Sequence, residues 1–212
     1  MPRAARSSLA RLLDQHCTLL GSCRRCAHAP GILPITSRAR APRAMLVGQA
    51  PGQTEIGGGP PFAGRAGRTL FAWLSTAGID EPTAREWFYI SAITRCYPGP
   101  HPGGRGDRVP SPRERERCGE WLGSELRIIR PAVLVPVGRL AIDRFLGSRP
   151  LAELIGREHK IVHEGGQSVA IPLPHPSGAS SWIHTTGNRD LLVRALTLLG
   201  ERMTWPADRS VA

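Results

Sequence analysis

The chain has 212 residues, enough for one domain with a sizeable core and no need of cross-links. Hydrophobic residues make up 41%, ordinary for a globular protein, and no apolar stretch approaches the ~20 residues of a membrane span, which excludes helical membrane proteins. Lys and Arg number 28 against 17 Asp and Glu; the resulting +11 predicts either a polyanionic partner or a basic tail on a near-neutral body.

Taken in chain order, a single domain over 1–212 is expected to open with a basic segment. Residues 1–43 hold eight arginines against one acid, Asp14. Arg11, Asp14 and His16 break any apolar run there, so the segment is a poor secretory signal, and a cytoplasmic, nucleoid-associated bacterial protein is expected. Leu9, Leu12, Leu13, His16, Leu19 and Leu20 fall at helical spacing and predict a helix over 7–20. Cys23 and Cys26 follow as C-x-x-C, in a Pro- and Arg-rich loop over 27–43.

Four short apolar runs come next: Ala44–Val47, Trp87–Ile90, Ala132–Val137 and Val169–Leu173. Each is bounded by Gly, Pro or Arg, the look of a strand buried on both faces. Helical patterns over 65–78, 112–130, 139–147 and 188–202 lie between and after them. The alternation predicts a three-layer α/β/α sandwich around a four-stranded parallel sheet, with a loose tail over 203–212. Ligands bind such sheets at the carboxyl edge, so the segments after each strand are the ones that carry chemistry.

Those segments are distinctive. Gly48-Gln49-Ala50-Pro51-Gly52 lacks the endings of both a P-loop and a dinucleotide fingerprint, but its glycines let backbone amides approach a ligand. Pro60-Pro61-Phe62 precedes Gly64 and Gly67; Phe62 is either core or a ring offered to a flat heterocycle. His175, between two prolines and followed by Ser177, is not a typical core histidine. Cys96 and Cys118 lie far from the C-x-x-C, among further arginines. Four thiolates hold zinc or an iron–sulfur cluster; an odd total of five cysteines argues against disulfides, with scattered buried thiols the plainer alternative.

As an ordered set these motifs resemble the uracil-DNA glycosylase superfamily, and among its branches the one with a four-cysteine iron–sulfur cluster. The features are Gly48–Glu55, Pro61-Phe62-x-Gly-x-x-Gly-x-x-Leu70, Cys96, Pro110-x-x-x-Glu114-x-x-x-Cys118, Pro136-Val137-Gly138 and His175-Pro176-Ser177. The resemblance implies a monofunctional DNA-repair enzyme. It would flip uracil out of single- or double-stranded DNA and hydrolyse the N-glycosidic bond, acting as a monomer. It implies a 4Fe-4S cluster on Cys23, Cys26, Cys96 and Cys118, zinc being the lesser expectation, with Cys17 spare.

The same resemblance assigns roles. Phe62 stacks on the base, and His175 donates to its O2 as charge develops. Gln49 is placed with His175 among the catalytic residues, and Gly48, Ala50, Pro51, Glu55, Ser91 and Ser177 line the base site. Pro60, Arg105, Arg108, Ser111, Arg139 and Ser180 meet DNA, and Trp182 or Ile183 is the wedge. Two positions depart from the family's iron–sulfur branch: Gln49 replaces a Glu, and Ser91-Ala92 replaces an Asn that reads the pyrimidine edge. The loop over 99–110 is related to that of a covalent-trapping branch, whose histidine three residues before Pro-Ser attacks the sugar; Asp107 stands there instead. Asp107 is therefore the expected catalytic carboxylate, with Glu55 behind it and His101 an outsider. The plainer alternative pairs Asp107 with Arg105 or Arg108. Two further readings are a protein that captures uracil-containing or abasic DNA with little turnover, and an unrelated zinc-dependent nucleotide enzyme. If all four cysteines meet, the two arginine-rich stretches join into one basic face, and DNA binding is expected to weaken steeply with salt.

Overall fold

A computed structural model describes residues 3–26, 31–104, 106–177 and 181–204. Their elements are α1 (Arg3–Gly21), β1 (Ala44–Gly48), α2 (Arg65–Thr76), α3 (Glu81–Trp87), β2 (Phe88–Ala92), α4 (Pro112–Ile129), β3 (Val133–Pro136), α5 (Arg139–Leu146), α6 (Leu151–Leu154), β4 (His159–His163), β5 (Gly166–Ala170) and α7 (Thr186–Thr204). The strands form one sheet in the order β2-β1-β3-β5-β4.

The parallel pairings β1–β2, β1–β3 and β3–β5 follow from the four apolar runs. The sheet has five strands rather than four. β4 pairs antiparallel with β5 in a hairpin at the edge. Its sequence, His159-Lys160-Ile161-Val162-His163, buries only Ile161 and leaves Val162 79% exposed, so it shows no apolar run. That is how an edge strand reads: it buries a single residue and its charged and polar positions break any apolar run. The fourth run also shifts: β5 begins at Gly166 and ends at Ala170, and Leu173 continues only as a single bridge to Val137.

Alternation in the buried strands divides the core into two faces. Ala44, Leu46, Phe88, Ile90, Val133 and Val135 pack with Leu70 and Leu74 of α2 and Leu196 and Leu199 of α7. Met45, Val47, Tyr89 and Leu134 pack with Leu13 of α1 and Leu122 and Leu126 of α4. Helices on both faces make three layers. Truncating a fully buried leucine such as Leu126 to Ala removes about 2–5 kcal/mol.

Local signals fix the helix that borders the site. Ser111 Oγ accepts from the Glu114 amide at 3.3 Å and Glu114 reaches back to the Ser111 amide at 2.8 Å, a capping box with Pro112 in the first turn of α4. β1 has β2 on one side and β3 on the other, so the chain winds in both directions from it. Such a switch point opens a crevice at the carboxyl ends of the strands. No helix among the described residues is long and apolar enough to cross a membrane.

Candidate active site

Loops from the carboxyl ends of β1, β2, β3 and β5 enclose a cavity of about 480 Å³. Gly48–Glu55, Phe62, Ser91, Ala92, Asp107, Arg108, His175 and Ser177 all line it, so motifs up to 129 positions apart converge on one crevice.

Phe62 is held there under strain. Its φ of 57° is left-handed, a conformation few bulky residues adopt without compensation elsewhere. Two glycines make room for it. A Cβ on Gly67 would sit 1.8 Å from the Phe62 carbonyl oxygen, and one on Gly48 would sit 3.0 Å from the ring's Cζ. Arg85 of α3 donates to the Pro61 carbonyl at 2.9 Å and stacks over Phe71 at 4.5 Å, securing the loop from behind. Sequence reasoning missed α3 and Arg85; an arginine at i+4 from Glu81 reads as a surface ion pair.

His175 is oriented by its own loop. The Ser177 backbone N–H donates to Nδ1 at 3.2 Å, and the Ser177 hydroxyl lies 2.9 Å from the same atom. A backbone amide only donates, so Nδ1 is an acceptor and the neutral ring carries its proton on Nε2. Burial pushes the His175 pKa down, which favours that neutral form. Gly138, at φ 83°, leaves the space: a Cβ there would meet the His175 ring at 2.8 Å.

Two carboxylates neighbour each other beneath Gly52. Glu55 Oε2 lies 3.0 Å and Asp107 Oδ2 3.3 Å from the point a Gly52 Cβ would occupy. Glu55 is buried and accepts from the backbone amides of Gly52 and Gly64, tying the first motif to the Phe62 loop. It is spent on structure. Asp107 is exposed and lines the cavity. The loop that carries it is a short hairpin rather than an adaptable excursion. His101 N–H donates to the Gly106 carbonyl at 2.9 Å, and Arg108 N–H to the Gly99 carbonyl at 3.0 Å. The Arg108 guanidinium grips Glu114 through two bonds of 2.7 Å. The Tyr97 phenol faces Asp107; burial, then this carboxylate, pushes its pKa up.

Other sequence-singled residues fall as follows. Ser91 Oγ donates to buried Glu125 at 2.9 Å, away from a base, and Ala92 ends β2 on the cavity wall. Arg108 is balanced by Glu114, and Ser111 is spent on the helix cap. Arg139 pairs with Asp143 at 3.2 Å and caps the Arg149 carbonyl at 2.6 Å. Pro60 is half-buried beside the Phe62 turn. Trp182 and Ile183 sit in a 3-10 turn and are half-buried against the core. His101 is exposed, accepts from the Gly103 amide and does not reach the cavity. Arg105, Ser180 and residues 205–212 lie outside the described residues; the tail expected to be loose from 203 starts later, because α7 runs to Thr204 and buries Met203 in the core.

A second chamber, of about 180 Å³, is lined by Cys23, Cys26, Cys96 and Cys118 together, and not by Cys17. The Cys96 thiol is pushed up to about 12, by burial first and then by Cys118, Cys26 and Cys23, so the four sulfurs feel one another. Burial also raises Cys118, opposed by Arg95; Arg117 opposes the rise at Cys26. Arg25 also lines the chamber, paired with Glu120 and stacked on Trp121 at 5.1 Å.

The model of the uracil DNA glycosylase superfamily matches residues 36–198. The chain belongs to the uracil-DNA glycosylase superfamily. Within the superfamily it is 36% identical to a type-4 uracil-DNA glycosylase of Thermotoga maritima over 64% of its length, and 32% identical to one of Archaeoglobus fulgidus over 63%. These matches span 65% and 64% of the relatives' own lengths, just short of two thirds. The superfamily fold is shared with the crystal structure of wild-type Pedobacter heparinus SMUG2, at a TM-score of 0.53 and 12% identity, covering 92% of this chain and 98% of that one.

Proposed function

We propose that this chain is a monofunctional uracil-DNA glycosylase that leaves an abasic site in DNA. The observation that carries the reading is the meeting of Phe62, His175 and Asp107, from three separate loops, in one cavity at the switch point of a sheet of this family. A flipped base enters the cavity. Phe62 stacks on it, and the Nε2–H of neutral His175 donates to its O2. As the N-glycosidic bond breaks, its electron pair passes to the base, and His175 stabilises the anion that forms. Asp107 faces the sugar cation; water adds to C1′ and gives its proton to the carboxylate. Gln49, on the cavity wall with an amide that both donates and accepts, reads the pyrimidine edge that Ala92 leaves unread. Ser177 orients His175, and Pro60 borders the path of the DNA backbone. A capture role is not favoured, because a carboxylate in place of the trapping imidazole makes a less durable adduct.

The four cysteines line one chamber together, the all-thiolate donor set that an iron–sulfur cluster takes. Among the described residues, three of the polar side-chain atoms that are buried without a hydrogen bond, Thr94 Oγ1, Arg95 Nε and Trp121 Nε1, belong to residues lining that chamber. The relatives' type-4 family likewise points to a 4Fe-4S centre. When bound, it supplies a tie between the N-terminal segment and the Asp107 hairpin. The partner is uracil-containing DNA, single- or double-stranded, and a cytoplasmic monomer is the form proposed.

The test is incubation with a uracil oligonucleotide. Alkali-labile breaks in excess over enzyme support the glycosylase; a stoichiometric complex that survives a denaturing gel overturns it in favour of capture.

A further inference from the structure

The base cavity and the cysteine chamber adjoin along the strip that follows β2, and one residue of that strip, Arg95, lines both. Arg95 is 2% exposed and lines each of the two cavities. The strip is knitted to the base site through its backbone: Ile93 N–H donates to the Gly48 carbonyl at 3.0 Å, and Thr94 N–H to the Gln49 carbonyl at 3.2 Å. On its other side, Thr94, Arg95 and Cys96 of the strip line the cysteine chamber with Cys118.

The guanidinium is anchored at one end only. Its Nη2 binds Glu125, which is fully buried. Glu125 is also bonded by Tyr89 Oη at 3.0 Å and Ser91 Oγ at 2.9 Å, with His16 Nε2 at 3.3 Å. The ion pair is thereby locked to β2 and α1. Among the described residues Arg95 Nε has no hydrogen-bond partner, nor have Thr94 Oγ1 and Trp121 Nε1, which belong to two other residues lining the chamber. A buried donor without an acceptor is costly, and cluster sulfurs accept hydrogen bonds.

We infer that Arg95 is a positioning residue through which the group held by Cys23, Cys26, Cys96 and Cys118 fixes the wall of the base cavity. This rests on the cluster reading above. With Glu125 gripping one edge of the guanidinium and a sulfur accepting from Nε, the Ile93–Arg95 strip has one position, and so have the Gly48 and Gln49 carbonyls bonded to it. Linkage is reciprocal, so a ligand in the base cavity must also perturb the cluster.

The experiment uses the iron-loaded chain with free uracil as probe. Iron content and visible absorption are recorded first. Uracil binding is then measured by equilibrium dialysis with radiolabelled uracil, and the visible circular dichroism of the cluster is followed along the same titration. Uracil is expected to change the cluster bands with the half-saturation of binding. Arg95→Lys, with unchanged iron content, is expected to bind uracil at least tenfold more weakly and to lose the spectral change. Should Arg95→Lys not fold, Glu125→Gln keeps the shape, breaks the ion pair and carries the same expectation. Cluster bands unmoved by bound uracil, or a full response in the variant, overturn the inference while leaving the cluster in place. A chain that purifies without iron overturns the cluster reading itself, and one that binds no uracil overturns the base-site reading.

Discussion

The base cavity and the cysteine chamber share a wall but are built by different means. In the base cavity the backbone does the shaping. Gly48, Gly67 and Gly138 leave space for Phe62 and His175, and amides at Gly52, Gly64 and Ser177 hold Glu55 and the imidazole. In the chamber the walls are side chains: half-buried thiols, those of Cys26, Cys96 and Cys118 pushed up by burial first, and, among the described residues, donors that lack acceptors. One region is shaped by its own backbone; the other presents thiols and buried donors toward a shared space. Substitutions of side chains in the first should therefore remove catalysis and spare stability, whereas changes to the second should cost stability and, through Arg95, weaken base binding as well.

The largest effect that would break this contrast is at His175. His175→Ala is expected to lose about 10²–10³-fold in single-turnover excision, with melting temperature and iron content unchanged; a fold-wide loss of stability would contradict the division. Gly67→Ala comes next. It drives a methyl into the Phe62 carbonyl, so excision should fall at least about tenfold, by the logic that small misplacements of a positioning group are amplified in rate. Its measurement is kcat/KM on a uracil oligonucleotide, and a wild-type value would show that Phe62 is not held by this glycine.

On the other side of the wall, removing iron with a chelator, or substituting Cys96→Ser, should lower the melting temperature and expose the N-terminal segment to protease. The His175→Ala protein should show neither change. An iron-free chain with an unaltered melting curve would remove the chamber's structural role.

The smallest effect concerns the rivet between the Asp107 hairpin and α4. The Arg108 guanidinium, opposed by burial and helped by the Ser111 amide and hydroxyl, holds the Glu114 carboxyl down to about 2 from its ordinary 4.5. A carboxyl depressed in the folded state stabilises it above pH 4.5, and that contribution is lost as pH falls through about 2. Both side chains are partly exposed, so Glu114→Gln should cost about 1 kcal/mol or less at neutral pH. The gap between the two proteins' melting temperatures should close on acidification below pH 4.5; a gap that persists would place the rivet's strength elsewhere.

The difference between the two regions also explains what the chain revealed as a sequence. Backbone-built features leave marks at fixed spacing. The Gly48–Gly52 turn, Phe62 with Gly64 and Gly67, and His175 between prolines were all legible, and so were the apolar runs of β1, β2 and β3. Long-range side-chain networks leave none. Arg95 and Glu125 are 30 positions apart and read as ordinary charges of a loop and a helix, so the buried pair was invisible. Glu55 was read as a spare acid because spacing cannot show that two amides already occupy it. Arg108 and Ser111 were assigned to DNA because the Glu114 fork that engages them forms only when the hairpin closes on α4. β4 escaped notice for an edge strand's usual reason: with a single buried residue it shows no apolar run.

The central claim is that Asp107, presented by a closed hairpin into a backbone-built cavity, is the carboxylate of the reaction. The direct test is single-turnover uracil release by Asp107→Ala holoprotein, with affinity for the same oligonucleotide measured in parallel. The account predicts a loss of about 10²–10⁴-fold in rate with DNA affinity retained; a near-wild-type rate in that variant would contradict it.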